Sequence, residues 1–343
     1  MMMNTATLRT MAVAVLALTS SASAQQQPDT FVDTTGYQVT PPAALPFAVN
    51  TPGCAAYDPS TADWAAVRQD ILNYLGQSSA LIGPEQVPYK RVAAMLVRAS
   101  FHDAGAFENG VGGADGSLIC NDDEQLRPAN GAPLKFVPYV RAALAPLAEK
   151  HSISYADAIA VGGAVAAEFL GHGSDFALKV GRCDSAMGNP NVLPKDDLNY
   201  GEFLHYFNSV GIDIADAAAL MGSHTVLEDG DGHSDGEQQY KWGNTYFKDQ
   251  LTGTISVVPG TADPETGKAT QEVEWSTGKN WQYTINDALI APQNVDAMRR
   301  CPFSRMYKRL VKQFAMDPST WEAAYASAFT RMTEIGATWS DKA

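Results

Sequence analysis

Apolar residues recur every three or four positions through most of the chain after residue 60, and this spacing constrains the fold more than any other feature. In "STADWAAVRQDILNYLG", Ser60 is the predicted N-cap, and Trp64, Val67, Ile71 and Leu75 form the apolar face. The same spacing predicts helices over residues 85–104, 134–149, 154–170, 196–209, 213–223, 296–314 and 317–334. The chain is therefore predicted to be mainly α-helical.

Residues 252–285 break this pattern. Their β-branched and aromatic residues alternate with polar ones between glycine-containing turns, which is typical of antiparallel strands. One or two β-hairpins are therefore predicted as an insertion in a helical protein.

The N-terminal segment reads as a secretory leader. Arg9 precedes the apolar run "MAVAVLAL", and the small residues Ala22, Ser23 and Ala24 form a cleavage signature before Gln25. Residues 1–24 are predicted to be a signal peptide, and residues 25–60 an extended segment. No later segment has 18 uninterrupted apolar residues, so we expect a secreted protein without membrane partners.

The formal net charge is −14, which repels nucleic-acid phosphates and anionic membranes, and neither is an expected partner. The four cysteines are Cys54, Cys120, Cys183 and Cys301. In an oxidising compartment they predict two disulfides, and spacing alone leaves all three pairings open.

The stretch "RASFHDAGAF" carries the first candidate site. Arg98 and His102 are four residues apart, so their side chains leave the same face of a helix. A guanidinium and an imidazole gain nothing from each other as an ion pair. They are useful together when an anionic or polarisable species lies between them.

The loop "VGGADGS" that follows is a candidate cation site. Asp115, Ser117 and the Gly113 carbonyl present alternating oxygen atoms, which suit a hard cation such as Ca²⁺. Asp103 points about 100° away from His102 around the helix and can serve that cation. The alternative is an ordinary Asp-Gly turn.

The second candidate site is "DAAALMGSHTV", an apolar helix that ends at His224. Such a histidine is either a hydrogen-bonded core residue or a metal ligand. An imidazole ligand usually donates its other N–H to a carboxylate or a carbonyl, and Asp287 in "YTINDALIA" offers the former. Alternatively, Asp287 only caps a short helix.

Taken together, these motifs resemble the plant, fungal and bacterial haem peroxidase superfamily. The resemblance rests on Arg98-x-x-Phe101-His102-Asp103, "GADGS", "ISYADAIAVGG", Gly181-Arg182, "GSHT" and the final "WEAAYASAFTRMTEIG", in this order between about residues 61 and 337. Phe101, the leader and the Asp-Gly-Ser loop resemble the secreted fungal branch.

The resemblance implies a haem peroxidase domain over residues 61–343, in which two helical lobes enclose haem b. The distal lobe would span about 61–180 and the proximal lobe about 181–337. The implied catalytic residues are Arg98, His102 and Asn130. The implied cofactor residues are His224 on the haem iron, its partner Asp287, Phe101 and Arg182. The implied calcium ligands are Asp103, Gly113, Asp115 and Ser117, with Thr225 at a second calcium site that stays open.

The same resemblance implies a secreted monomer that reduces hydrogen peroxide and oxidises small phenols or aromatic amines at the haem edge. Arg91 and Met95 stand where manganese-oxidising relatives carry carboxylates, and Ala219 stands where other relatives carry a radical-forming tryptophan. Manganese-dependent and lignin-type activities are therefore the less favoured alternatives. By analogy with relatives, Cys54–Cys301 and Cys120–Cys183 are the favoured disulfides.

Two other classes remain to be compared. A haem-binding protein without activity would need His224, but would gain nothing from Arg98, His102 and Asn130 together. A serine hydrolase could use "HGSD" at residues 172–175, although the chain has no G-x-S-x-G motif.

Overall fold

The computed structural model describes residues 54–77, 80–81, 86–87, 89–131, 136–194, 200–226, 240–252, 254–262, 269–276, 280–283 and 302–343, together with 31–32 and 38–39. The predicted signal peptide, Asp287 and Cys301 lie outside these residues. Most described residues are helical, as predicted.

The helices carry almost the whole described core. They are α1 (Trp64–Leu75), α2 (Tyr89–Ala104), α3 (Ser117–Cys120), α4 (Asp122–Gln125), α5 (Pro128–Gly131), α6 (Val137–His151), α7 (Tyr155–Leu170), α8 (Tyr200–Ser209), α9 (Ile214–Met221), α10 (Thr245–Thr252), α11 (Pro302–Met316) and α12 (Pro318–Met332). Two 3₁₀ turns, Pro59–Thr61 and Gly222–Thr225, precede α1 and follow α9. The predicted helices are confirmed within a few residues at most of their ends, whereas α10 and the four-residue helices α3 to α5 were missed.

The strands form four small antiparallel sheets. They are β1 (Phe31–Val32) with β2 (Gln38–Val39), β3 (Ala80–Leu81) with β4 (Gln86–Val87), β5 (Phe107–Glu108) with β6 (Val111–Gly112), and β7 (Thr254–Ala262), β8 (Ala269–Ser276) and β9 (Asn280–Tyr283) in one sheet. The last sheet has the order β7-β8-β9 and places Val257 opposite Val273. It confirms the predicted hairpin insertion over residues 252–285.

The start of α1 corrects one prediction. Asp63, not Ser60, is the N-cap, and its carboxylate accepts the Ala66 backbone N–H at 3.1 Å. Ser60 lies in the preceding 3₁₀ turn, where its N–H and hydroxyl both donate to Asp58. The apolar spacing fixed the buried face correctly but could not distinguish two adjacent capping signals.

Helix α7 lies at the centre of one group of helices and packs against α1, α2 and α6. Ser154 caps its N-terminus by accepting the Asp157 N–H at 3.1 Å. Gly163 faces α2 so closely that a Cβ there would overlap Ser100 Oγ. This close crossing explains why glycine stands in the middle of an otherwise favourable helix, where it costs about 1 kcal/mol relative to alanine.

A second group of helices, α9 to α12, packs around Trp321. The Trp321 indole is fully buried, stacks on Trp242 with ring centroids 5.3 Å apart, and donates from Nε1 to the Ala219 carbonyl at 3.0 Å. Gly222 has no side chain because a Cβ there would collide with this indole. Trp321 thus supports the turn that carries His224.

Cys54 forms a disulfide with Cys183 in the middle of the chain, and their Cα atoms are 5.0 Å apart. Both favoured pairings are therefore wrong, because each assigned one of these cysteines to another partner. Cys120 is a free thiol, and burial raises its pKa above the usual range. Near the disulfide, Cys183 N–H donates to the Thr338 carbonyl and Ser340 Oγ donates to the Tyr57 carbonyl. The C-terminal segment, rather than residue 301, closes onto Cys54.

No single helix among the described residues is long and apolar enough to cross a membrane. The pair α6 and α7 reaches the required length and hydropathy only when both helices are counted, and the chain bends by 117° between them.

Candidate active site

The last turns of α2 bring Arg98 and His102 together, as the four-residue spacing predicted. Arg98 Nε donates to His102 Nε2 at 3.0 Å. Because Nε2 accepts, the imidazole proton lies on Nδ1, which is 2.7 Å from Asn130 Oδ1. The partners therefore assign a neutral imidazole whose Nε2 lone pair can take a proton.

His102 is held in this neutral state by its surroundings. Burial and, to a lesser extent, the nearby charge of Arg98 lower its pKa to about 3, while the hydrogen bond to Asn130 acts in the opposite direction. At neutral pH the side chain is thus a base in a buried position.

Two phenylalanines enclose the pair. The Phe136 ring meets the His102 ring edge-on with centroids 5.0 Å apart, and the Arg98 guanidinium carbon lies 5.2 Å from its centroid. Phe101 contacts His102 on another side and packs against Tyr206 and Phe207. These rings keep water from the pair and restrict its rotamers.

The position of Asn130 depends on a local hydrogen-bond chain. Its Nδ2 donates to the Glu124 carbonyl at 2.9 Å, which leaves Oδ1 directed at His102. Glu124 lies in α4, whose N-cap Asn121 accepts the Glu124 N–H at 2.8 Å. The orientation of the Asn130 amide is therefore set by one backbone carbonyl and one imidazole.

Next to His102, Asp103 turns into the loop that was predicted to bind calcium. Its two carboxylate oxygens accept the N–H groups of Gly116 and Leu118 at 3.1 and 3.3 Å. Burial, followed by the charges of Asp115 and Glu124, raises the pKa of Asp103, and burial also raises that of Asp115 to about 6. These carboxylates are close enough to repel one another, so a cation among them would lower their electrostatic energy.

Several buried oxygen atoms beside these carboxylates lack a hydrogen-bond partner of normal geometry in the described part of the chain: Ser117 Oγ, Glu124 Oε1 and Asn189 Oδ1. The Gly113 carbonyl, in contrast, already accepts from Asp115 N–H at 2.8 Å and from Asn189 Nδ2 at 2.9 Å. A cation at the Gly113 carbonyl would compete with these two hydrogen bonds, and Gly113 stays a predicted ligand. Across the described ranges, no group of three or more His, Cys, Asp or Glu side chains is arranged so that it could hold a metal ion.

His224 lies in the 3₁₀ turn Gly222–Thr225 rather than at the end of the α-helix, which stops at Met221. Asp213 caps that helix by accepting the N–H groups of Ala215 and Asp216. The His224 ring is half-buried and meets Tyr246 edge-on with centroids 5.9 Å apart. Thr225 is buried beside it. The predicted partner Asp287 lies outside the described residues.

The structure describes the contacts of Arg182 within the protein, whereas its predicted role at the cofactor stays a prediction. Its guanidinium is fully buried and forms an ion pair with Asp157 at 2.8 Å. Nε donates to the Thr333 carbonyl at 2.7 Å, and Nη2 donates to Thr333 Oγ1 at 3.2 Å. These contacts join α7 to the end of α12 and leave the side chain committed within the protein.

The hydrolase alternative is not supported by its own residues. His172 Nδ1 accepts the Ser174 backbone N–H at 3.2 Å, and Nε2 is 3.1 Å from the Glu322 carbonyl. Both ring nitrogens thus contact backbone atoms rather than the Ser174 hydroxyl.

Comparison with known proteins defines the class. A family model described as "Peroxidase" matches residues 78–255, about half of the chain. "Putative L-ascorbate peroxidase 6" of Arabidopsis thaliana is 28% identical over 74% of this chain and 67% of its own length. "L-ascorbate peroxidase 5, peroxisomal" of the same plant is 27% identical over 72% and 77%, and "Basic peroxidase" of Zinnia elegans is 25% identical over 72% and 76%.

The chain belongs to the peroxidase family. It is a haem peroxidase, an oxidoreductase that acts on hydrogen peroxide. Family membership implies haem b as the cofactor. The reported relatives are plant proteins, so they do not support the fungal branch that Phe101 and the leader suggested.

Sequence reasoning missed Glu124, Phe136 and Asn189 as parts of this site. Glu124 had one weak signal, its position six residues before Asn130. Phe136 and Asn189 are brought to the site only by tertiary packing, and no local sequence pattern predicts their position there.

Proposed function

We propose that Arg98, His102 and Asn130 are the catalytic residues of a secreted haem peroxidase that oxidises small phenolic or aromatic donors in one-electron steps. The observation that carries this proposal is the hydrogen-bonded chain Arg98 Nε to His102 Nε2 and His102 Nδ1 to Asn130 Oδ1. This chain places the unprotonated Nε2 of His102 next to the fixed positive charge of Arg98.

His224 is the residue proposed to hold the haem iron, because its half-buried imidazole lies in a turn supported by Trp321. When bound, haem b would supply an iron atom that binds peroxide and would hold the two oxidising equivalents that peroxide provides until the donors consume them. His224 fits this group, since an imidazole nitrogen is a usual ligand of haem iron. Asp287 and Phe101 remain proposed neighbours of the cofactor site.

His102 Nε2 accepts the proton from the near oxygen of peroxide and returns it to the far oxygen, which leaves as water. Arg98 stabilises the negative charge that develops as the oxygen–oxygen bond lengthens. Asn130 keeps the proton on Nδ1, so that Nε2 is the atom that reacts. Each role uses a contact that the structure shows between the side chains.

We also propose a cation, most simply Ca²⁺, at the loop after α2, with Asp103, Asp115 and Ser117 as ligands. The buried and mutually repelling carboxylates and the unpartnered Ser117 hydroxyl support it. A second cation at Thr225 is the weaker part of this proposal, since Thr225 alone is described there.

Donor oxidation is proposed to occur at the haem edge. Met95 and Ala219 are both buried, with 6% and 1% of their surfaces exposed. Met95 therefore offers no carboxylate to a metal ion, and Ala219 offers no surface radical site. Ascorbate is a second candidate donor, favoured by the names of two relatives. Secretion is supported by the leader and by the disulfide Cys54–Cys183.

A visible spectrum before and after one equivalent of hydrogen peroxide tests the proposal. We expect a Soret band that shifts on addition and returns when a simple phenol is added. Absence of a Soret band in protein expressed with haem would refute it, and a band that peroxide does not change would favour the non-enzymatic haem-binding alternative.

A further inference from the structure

Asn189 lies outside the sequence motifs but makes three hydrogen bonds at the candidate site. Its Nδ2 donates to the carbonyls of Asp103 at 3.0 Å and Gly113 at 2.9 Å, and its backbone N–H donates to Glu124 Oε2 at 2.7 Å. Only 1% of its surface is exposed. One residue therefore connects three separate parts of the chain.

Two of these connections reach the neighbours of His102. Asp103 directly follows His102 in the chain, so its carbonyl moves with the end of α2. Glu124 is the residue whose carbonyl orients Asn130, and Asn130 accepts from His102 Nδ1. Asn189 thus fastens the segment that carries His102 to the segment that carries its hydrogen-bond partner.

The orientation of the Asn189 amide follows from its partners. Both atoms facing Nδ2 are carbonyl oxygens, which can only accept, so a flipped amide would place three acceptors together. Oδ1 then points toward Gly112, where a Cβ would lie 2.8 Å away. Gly112 also has a φ of +84°, a conformation that favours glycine. The close approach of β6 to Asn189 thus needs a residue without a side chain.

The loop that carries Asn189 is anchored independently. The Asp184 carboxylate accepts the N–H groups of Tyr155 and Ala156 at 3.0 and 2.9 Å, and Ser185 N–H donates to the Asp115 carbonyl at 2.8 Å. Cys183 is fixed by the disulfide. Asn189 is therefore presented from a rigid support.

We propose that Asn189 is a positioning residue for His102, which holds the histidine and Asn130 at the separation that keeps Nε2 directed at peroxide. This inference rests on the proposed function. It assigns Asn189 no contact with the reacting atoms. Its effect on the reaction passes through His102.

Asn244 provides a matched control for a purely structural role. It is also buried, and its Nδ2 likewise donates to two backbone carbonyls, those of Phe314 and Ala315, at 2.9 Å each. Its bonds join α10 to α11 and do not reach His102. Each substitution removes two hydrogen bonds to backbone carbonyls, but only those of Asn189 reach the residue next to His102.

The test is a double-mutant cycle on the haem-loaded protein. The rate constant of the first reaction with hydrogen peroxide is measured by stopped flow for Asn189→Leu and Asn244→Leu, each with His102 present and in a His102→Ala background. Equilibrium cyanide binding to the ferric protein is measured in the same variants, because hydrogen cyanide also gives its proton to the distal base.

We expect Asn189→Leu to slow the peroxide step at least tenfold and to weaken cyanide binding at least fivefold when His102 is present. Both effects should fall below twofold once His102 is absent, since coupled residues are non-additive. Asn244→Leu should change the rate by the same factor in both backgrounds. If Asn189→Leu does not bind haem, Asn189→Ser replaces it, because its hydroxyl can retain one of the two hydrogen bonds.

Equal effects of the Asn189 substitution in both backgrounds would overturn the inference, as would unchanged rates and cyanide affinities. Failure of the unmodified protein to react with peroxide would instead refute the proposed function. The two failures are therefore distinguishable.

Discussion

At the scale of single residues, the site depends on a histidine that is basic because of where it lies. A buried imidazole with a pKa of about 3 is neutral at neutral pH. His102 is then protonated only when peroxide supplies the proton, and Arg98 already lies where it can stabilise the negative charge that develops on peroxide. Burial thus keeps His102 unprotonated until peroxide reacts.

Replacing His102 with alanine should slow the peroxide step by about 10²- to 10⁴-fold, the usual contribution of a general acid–base, while haem content is unchanged. His172→Ala is the matched control, since His172 is also buried with a lowered pKa but has no contact with Arg98. Stopped-flow absorbance of the Soret band measures the rate. A wild-type rate in His102→Ala would contradict the assignment.

Replacing His224 with alanine should remove the haem or change its spectrum, because the iron would lose its proposed axial nitrogen. His205→Ala serves as the control, since His205 is exposed on α8. Haem content by absorbance, normalised to protein, decides the outcome. Unchanged content and spectrum in His224→Ala would remove His224 from the cofactor site.

At the scale of helices, the sequence predicted the long helices better than it predicted the short ones or the packing between distant segments. The apolar spacing located α1, α2, α6 to α9, α11 and α12, because burial of one face produces a periodic pattern. It could not predict α3 to α5, which are each one turn long and too short to show a period. It could place Arg98 and His102 on one face, since four residues fix that geometry. It could not place Asn189, which reaches the site only after distant segments have packed.

The crossing of α2 and α7 can be tested with two adjacent glycines. Gly163→Ala should lower the free energy of unfolding by about 1–3 kcal/mol, because the new methyl group overlaps Ser100 and displaces a close contact. At Gly162 a Cβ would meet only the flexible end of Leu144 at 3.0 Å, so the gain in helix propensity should offset most of the cost. Urea unfolding of both variants gives the comparison. Equal destabilisation would contradict the close-crossing explanation.

The buried pair of Asp157 and Arg182 joins α7 to α12, and its loss should affect stability rather than haem. Arg182→Met leaves Asp157 buried without its partner and should cost about 3–5 kcal/mol, with the Soret band of the folded protein unchanged. Arg331→Met is the control, since the Arg331 side chain is 57% exposed and its pair with Asp216 should contribute less than about 1 kcal/mol. An altered Soret band at unchanged stability would return Arg182 to the cofactor site.

At the scale of the whole molecule, charge should select among donors that reach the same haem edge. The net charge of −14 repels anions over a distance of about 10 Å at 0.1 M salt and about 3 Å at 1 M. Ascorbate is an anion at neutral pH, whereas a simple phenol is neutral. Raising the salt concentration should therefore increase kcat/KM for ascorbate several-fold and leave that for the phenol almost unchanged.

Steady-state assays at both ionic strengths, with Mn²⁺ in a chelating buffer as a third donor, provide the measurement. A salt-independent rate with ascorbate would show that a local binding site, not the overall field, controls its entry. Saturable Mn²⁺ oxidation at the rate of the phenol would contradict the proposed donor class.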